Sequence, residues 1–172
     1  MTTTQQDAAT STGSSTRGTS IEAPPEVPTI VIEREFAAEP SRVFRAWTDG
    51  EQFARWSGPR SVTTTVPLWE ARTGGAYRFA NHRDGEEIAS FYGSFHEVRP
   101  HERIVWTFTW EGMPDGVSLE TITFEALPGG RTRVRSTSLV DSFEAREAML
   151  ASGMETGVVE GYDKLDELLG QG

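Results

Sequence analysis

From residue 61 to residue 140 the sequence alternates apolar and polar positions in six runs separated only by turn chemistry, and from Ser142 to Leu169 the alternation gives way to a period of three to four. Successive side chains of a strand leave opposite faces, whereas apolar groups three and four apart share one side of a helix. The runs cover 61–69, 75–81, 86–98, 102–111, 117–127 and 131–140, and between them lie "TGG", "RDGE", "RPHE", "GMPDG" and "PGG". Turns this short return each strand beside the one before, so the pattern predicts an antiparallel meander. Leu150, Met154, Val158, Tyr162, Leu165 and Leu169 then mark the apolar side of one long helix.

Ahead of this block, "TIVIEREFAA" reads as a strand. "EPSRVFRAWTD" reads as a short helix, with Pro40 in its first turn and Val43, Phe44 and Trp47 on one side, and "GEQFARWSG" reads as a second. The order is strand, two short helices, six strands, long helix. An antiparallel sheet has to cover one face, and the terminal helix is the element large enough to do it. The expected architecture is therefore α+β, a helix-grip fold with a curved antiparallel sheet wrapped around a long C-terminal helix. One helix is a narrow cover for such a sheet, which leaves room for a binding cavity between the two layers.

The chain has 172 residues, enough for one domain with a sizeable core, placed at 27–172. Residues 1–26 are Thr, Ser, Gln, Gly and Ala followed by "APPEVP", with Ile21 the one large apolar group. Such a segment buries too little to offset its ordering entropy, so a disordered leader is expected there. The absence of cysteine removes disulfides, thiolate metal sites and a cysteine nucleophile. No apolar run is long enough to span a membrane, and the N-terminus lacks the basic start and apolar centre of a signal peptide, so the cytoplasm is the expected compartment. A formal net charge of -10 opposes binding to nucleic acid or to an anionic membrane surface.

The stretch "RIVWTFTW", Arg103 to Trp110, puts Ile104, Trp106, Phe108 and Trp110 on one strand face. These rings serve either as plain core or as the wall of a pocket. Trp110, at the strand end and carrying an N–H that needs a partner, suits the pocket mouth. If Val98 is core, alternation also turns Tyr92 and His96 inward, where His96 is either a hydrogen-bonded structural histidine or a pocket group. Glu120 alternates with Ile122 and Phe124, and burial in a cavity would raise its pKa. His82 and His101 fall at turns, and Arg78 and Arg135 are candidate partners for a ligand anion. Gly153, Gly157 and Gly161 recur every four residues beside Met154 and Val158, so the missing side chains are expected to face the sheet. No HExxH, Walker loop, GxGxxG or nucleophile elbow occurs, and no metal or cofactor is expected.

The blocks "REFAAEPSRVFRAWTDGEQFARWSGP", "GSFHEVRPHERIVWTFTW" and "GMETGVVEGYDKLDELL" resemble the activator of heat-shock-protein ATPase homologue (AHSA-type) domains of the START-like, or SRPBCC, superfamily, from about Thr29 to Leu169. The resemblance implies the helix-grip fold and a largely apolar cavity. The reading it supports is binding of a small apolar or amphipathic molecule, with Tyr92, His96, Trp106, Phe108, Trp110, Glu120, Met154, Gly157 and Val158 as candidate cavity residues. Two alternatives stand beside it: a co-chaperone-type interaction module, with a chaperone or a second copy of the chain as partner, and a cyclase-like or hydrolytic enzyme using His96 and Glu120.

Overall fold

A computed structural model describes residues 12–16 and 18–171. The elements in chain order are β1 (Thr12–Thr16), β2 (Thr19–Ala23), β3 (Thr29–Phe36), α1 (Pro40–Thr48), α2 (Gly50–Trp56), β4 (Thr63–Trp69), β5 (Ala76–Arg83), β6 (Glu86–Arg99), β7 (Arg103–Trp110), β8 (Ser118–Leu127), β9 (Arg131–Leu139), α3 (Phe143–Ala151) and α4 (Met154–Gly170). All nine strands form one sheet in the order β1-β2-β3-β9-β8-β7-β6-β5-β4. Strands β4 to β9 are the expected meander, and β3 joins it along β9 from Thr29↔Leu139 to Phe36↔Thr132. This is the α+β helix-grip arrangement.

Local chemistry explains the connections. Pro40 opens α1 in a position where its missing N–H costs nothing. Asp49 ends α1 and caps α2, its carboxylate accepting from the backbone N–H of Glu51 at 3.0 Å and Gln52 at 3.2 Å. The turn between β5 and β6 places Asp84 and Gly85 at φ 53° and 84°, the double left-handed geometry of a tight hairpin. At the far edge, β4 carries Pro67 inside a register shift between Thr65 and Leu68.

Strand β3 lies near one edge and β4 forms the other, so the α1–α2 pair must cross the inner face of the sheet. There it builds the core. Phe36 meets Tyr162 edge-on at 5.5 Å, Trp47 stands 4.6 Å from Trp56, and Phe44 and Trp47 both reach Phe124. A second aromatic group continues along the sheet, with Phe53 stacked on Trp69 at 4.3 Å and Tyr77 set 5.0 Å from Trp106.

Arg34 pins the terminal helix to this layer. It is buried on β3, and its guanidinium donates to Asp163 of α4 at 2.8 Å, to Asp166 one turn further on, and to the Thr19 hydroxyl of β2 at 3.1 Å.

Two expectations need correction. The segment 1–26 is not wholly outside the fold: residues 1–11 lie outside the described residues, but β2 pairs with β3, and Thr19, Ile21 and Ala23 are buried on alternate positions. Composition hides this because so few side chains are buried and much of the attachment is through backbone. Arg146 of α3 adds to it by donating to the carbonyls of Pro24 at 2.5 Å and Val27 at 3.1 Å. The terminal helix, in turn, is two helices, broken at Ser152 and Gly153, where Gly153 adopts φ 84°.

Replacing Arg34 by leucine removes the cation and leaves the Asp163 carboxylate beside an apolar group. Urea denaturation should show a loss of about 3 kcal/mol, the cost of breaking a largely buried ion pair from one side. A loss below about 0.5 kcal/mol, as for an exposed pair, would mean that Arg34 does not anchor α4.

Candidate functional site

The inner face of the sheet divides into two regions. In the rows nearest α1, the side chains are Ile32, Phe36, Ile104, Ile122, Phe124 and Val134, all buried and apolar. Toward the other end, β8 and β9 turn hydroxyl and carboxyl groups inward instead: Ser118, Glu120, Ser136 and Ser138, with Glu120 directly opposite Ser138 on one side and Trp106 on the other. Alternation with Ile122 and Phe124 fixes this direction.

Glu120 lies on a central strand and points toward the helices, yet it is only half-buried, as is Phe108 on the neighbouring strand. Their partial exposure makes this part of the face a candidate opening between the sheet and the helical layer. Phe108 stacks on Phe91 at 5.2 Å, and both flank the core on the sheet side of this opening. Met149 and Leu150 of α3 and Met154 and Val158 of α4 are half-buried along the helical side. These half-buried apolar groups and the Glu120 carboxyl are the candidates for lining a trough between the two layers.

Both oxygens of that carboxyl are engaged. The Ser118 hydroxyl donates to Oε1 and the Ser138 hydroxyl to Oε2, each at 2.6 Å. Among the described residues no arginine, lysine or histidine pairs with it. Burial raises the Glu120 pKa above the ordinary carboxylate value, and the two serine hydrogen bonds oppose this without cancelling it. The phenols of Tyr77 and Tyr162 are also raised, by burial first and then by the Glu120 charge, so both rings lie within its electrostatic reach.

Of the candidate residues, Trp106, Phe108 and Glu120 share the inner face of neighbouring strands, and Met154 and Val158 are half-buried on α4 against the same core. Trp106 is core, buried among Tyr77, Phe95 and Trp69 at 5.0, 5.4 and 5.9 Å. Trp110 ends β7 in an exposed position, its ring lying so close to Gly112 that a Cβ there would come within 2.3 Å of it.

Tyr92 and His96 are on the outer face and exposed. Strict alternation breaks at one residue of β6. Phe95 pairs with Trp106 and Glu97 with Val105, which makes His96 the extra residue of a β-bulge. The bulge changes the parity of β6, so Val98 shares the inner face with Phe91 and Phe95 rather than with Tyr92 and His96. Glu120 and His96 thus point to opposite sides of the sheet and form no acid–base pair. Arg78 and Arg135 also face outward, where Arg78 pairs with Glu111 at 2.6 Å and Arg135 with Glu33 at 3.2 Å.

The glycine stripe faces the loop after α2 rather than the sheet. A Cβ at Gly161 would lie 3.2 Å from the Trp56 carbonyl oxygen, and one at Gly157 would meet Pro59 at an ordinary 3.6 Å. Lys164 closes the same contact by donating to the Ser57 carbonyl at 3.1 Å. Beside this junction, Arg55, Arg60 and Lys164 line a cleft of about 310 Å³. Of these cations, Arg60 is paired with Glu167 at 2.5 Å.

Sequence reading missed Ser118, Ser136 and Ser138. The signal was present in "VRSTSL", where Ser136 and Ser138 follow the apolar Val134 at strand spacing. Small hydroxyls on a buried strand face read as turn or filler until the register shows Glu120 between them.

Residues 37–170 match the family described as "Activator of Hsp90 ATPase homolog 1-like protein". No curated protein matches the chain. Among solved structures, a protein from Mycobacterium smegmatis is 26% identical with a TM-score of 0.78, over 87% of this chain and 94% of its own. One from Arthrobacter aurescens is 27% identical with a TM-score of 0.80, over 88% and 91%. One from Chromobacterium violaceum is 27% identical with a TM-score of 0.70, over 83% and 96%.

Two measurements check this geometry. Gly157→Ala should raise stability by up to about 1 kcal/mol through helix propensity, whereas Gly161→Ala should lower it by about 1 kcal/mol because its methyl group presses on backbone. Equal gains in both would place the stripe in solvent. For Glu120, the folded state holds the proton more tightly than the unfolded chain, so stability should fall as pH rises from the ordinary carboxylate value through the raised one and stay level above it. Glu120→Gln should remove that fall, being more stable than the parent at neutral pH and indistinguishable in acid. Parallel pH curves for the two proteins would contradict the buried carboxyl.

Proposed function

Because the chain belongs to the family of Activator of Hsp90 ATPase homolog 1-like proteins, with a START-like helix-grip fold, we propose that it binds a small amphipathic molecule in the trough between the sheet and helices α3 and α4. The observation that carries this reading is Glu120, whose carboxyl is turned to the inner face of a central strand and, among the described residues, is hydrogen-bonded to two serines with no cation beside it, while the residue is only half-buried. Left without a ligand, this arrangement costs stability, since a cheaper residue at the position would be apolar like Ile122 and Phe124. Folds retain such costs where a site needs them. The apolar body of the ligand lies along Phe91, Phe108, Met154 and Val158, and its polar end meets Glu120, Ser118 and Ser138. Binding, rather than turnover, fits a floor with no histidine beside its carboxylate, and the cytoplasm is the proposed compartment.

A second reading, an interaction module of the co-chaperone kind, draws on the exposed apolar residues Trp110, Met113 and Val117 around the β7–β8 loop. Such residues grouped on one loop suit a protein surface. The two readings separate experimentally because the loop and the trough use different side chains.

The neutral dye Nile red, titrated against the purified protein, should bind with a rise in fluorescence. Val158→Trp fills the trough from the helical side and should weaken binding at least tenfold while the melting temperature stays within a few degrees. If the variant folds and binds the dye as the parent does, the trough is not the binding site.

A further inference from the structure

We infer that the molecule held in the trough is a cation, an amphipathic amine whose protonated nitrogen sits over Glu120. The inference rests on the binding role proposed above and adds the charge of the ligand. Several observations converge on it. The carboxyl has two oxygens, each accepting a single serine hydroxyl, and a carboxylate oxygen can accept a further hydrogen bond from an ammonium. The cation buried on this face of the sheet, Arg34, is committed to Asp163 and Asp166, and its row is separated from Glu120 by that of Ile32, Ser136 and Ile122. Nothing of opposite charge is therefore supplied to Glu120 from within the described residues.

The surroundings suit the same ligand. Trp106 stands directly opposite Glu120 on β7, Phe108 is next along that strand's inner face, and Tyr77 and Tyr162 lie within reach of the charge. Of these rings Phe108 is half-buried and so the one open to a ligand, and an aromatic face turned toward a bound cation attracts it through the ring quadrupole. A fatty acid or other anion would place like charges together on the trough floor, which is strongly unfavourable in a desolvated site. A neutral alcohol could accept or donate a hydrogen bond there but would leave the carboxylate charge uncompensated.

Three probes with one apolar body test the inference: 4-phenylbutylamine, 4-phenylbutan-1-ol and 4-phenylbutyrate, each titrated into the full chain by calorimetry at neutral pH. The amine should bind at least tenfold more tightly than the alcohol, and the butyrate should bind weakest. In Glu120→Gln the preference for the amine should disappear while the alcohol still binds, and in Ser138→Ala the preference should persist. Equal binding of amine and alcohol by the parent, or an amine preference that survives in folded Glu120→Gln, overturns the charge assignment and leaves the trough as a neutral site. Failure of all three probes, with Nile red also unbound, overturns the binding role itself and the charge assignment with it.

Discussion

The ion pairs of Arg34 hold the two layers of this protein together at the point where they would otherwise be free to slide. A helix lying on a sheet through aromatic contacts alone can shift along it at small cost, because dispersion is not directional. A guanidinium that reaches two carboxylates one turn apart on α4 and a hydroxyl on β2 fixes both the height and the rotation of the helix. Phe36 lies against the same guanidinium at 5.6 Å and against Tyr162 of α4 at 5.5 Å, so polar and apolar contacts select one register.

With α4 fixed at its C-terminal half, the character of the other half follows. Around Arg34 the space between the layers is filled by the rings of Phe36, Trp47, Trp56 and Tyr162. Further along, Trp106 closes the core, and beyond it the inward positions pass to serine and glutamate. The rings of "RIVWTFTW" therefore differ in their surroundings: Trp106 packs the interior, Phe108 is half-buried and stacks on Phe91, and Trp110 is exposed at the strand end. The junction of α2 with α4, made close by Gly161, is a structural contact and not an extension of the trough.

Element type and order were legible in the sequence because periodicity and turn residues are local signals. The six strands of the meander and the two short helices stand close to where alternation and Pro40, Asp49 and the glycine turns place them. Three features depended on information that is not local. The bulge at His96 changes which residues share a face, and nothing in "SFHEVR" marks it. The β2 strand is built by pairing with β3, so its polar composition concealed it. The break at Gly153 separates two helices whose apolar positions are spaced as if for one. At the site, Glu120 could be read from its alternation with Ile122 and Phe124, and Ser118 shares that alternation, but the pairing with Ser138 could not be read, because it is made across strands.

An open sheet ends in rows of unpaired backbone groups, and each row is a template on which another extended chain can assemble. At β4 that template is short. Pro67 offers no N–H, and the register shift between Thr65 and Leu68 breaks the row where it falls. An incoming strand finds only the three residues from Thr63 to Thr65 in regular geometry before the break, too few for a stable pairing. The irregularity in this edge thus leaves little regular backbone for a strand of another molecule to extend.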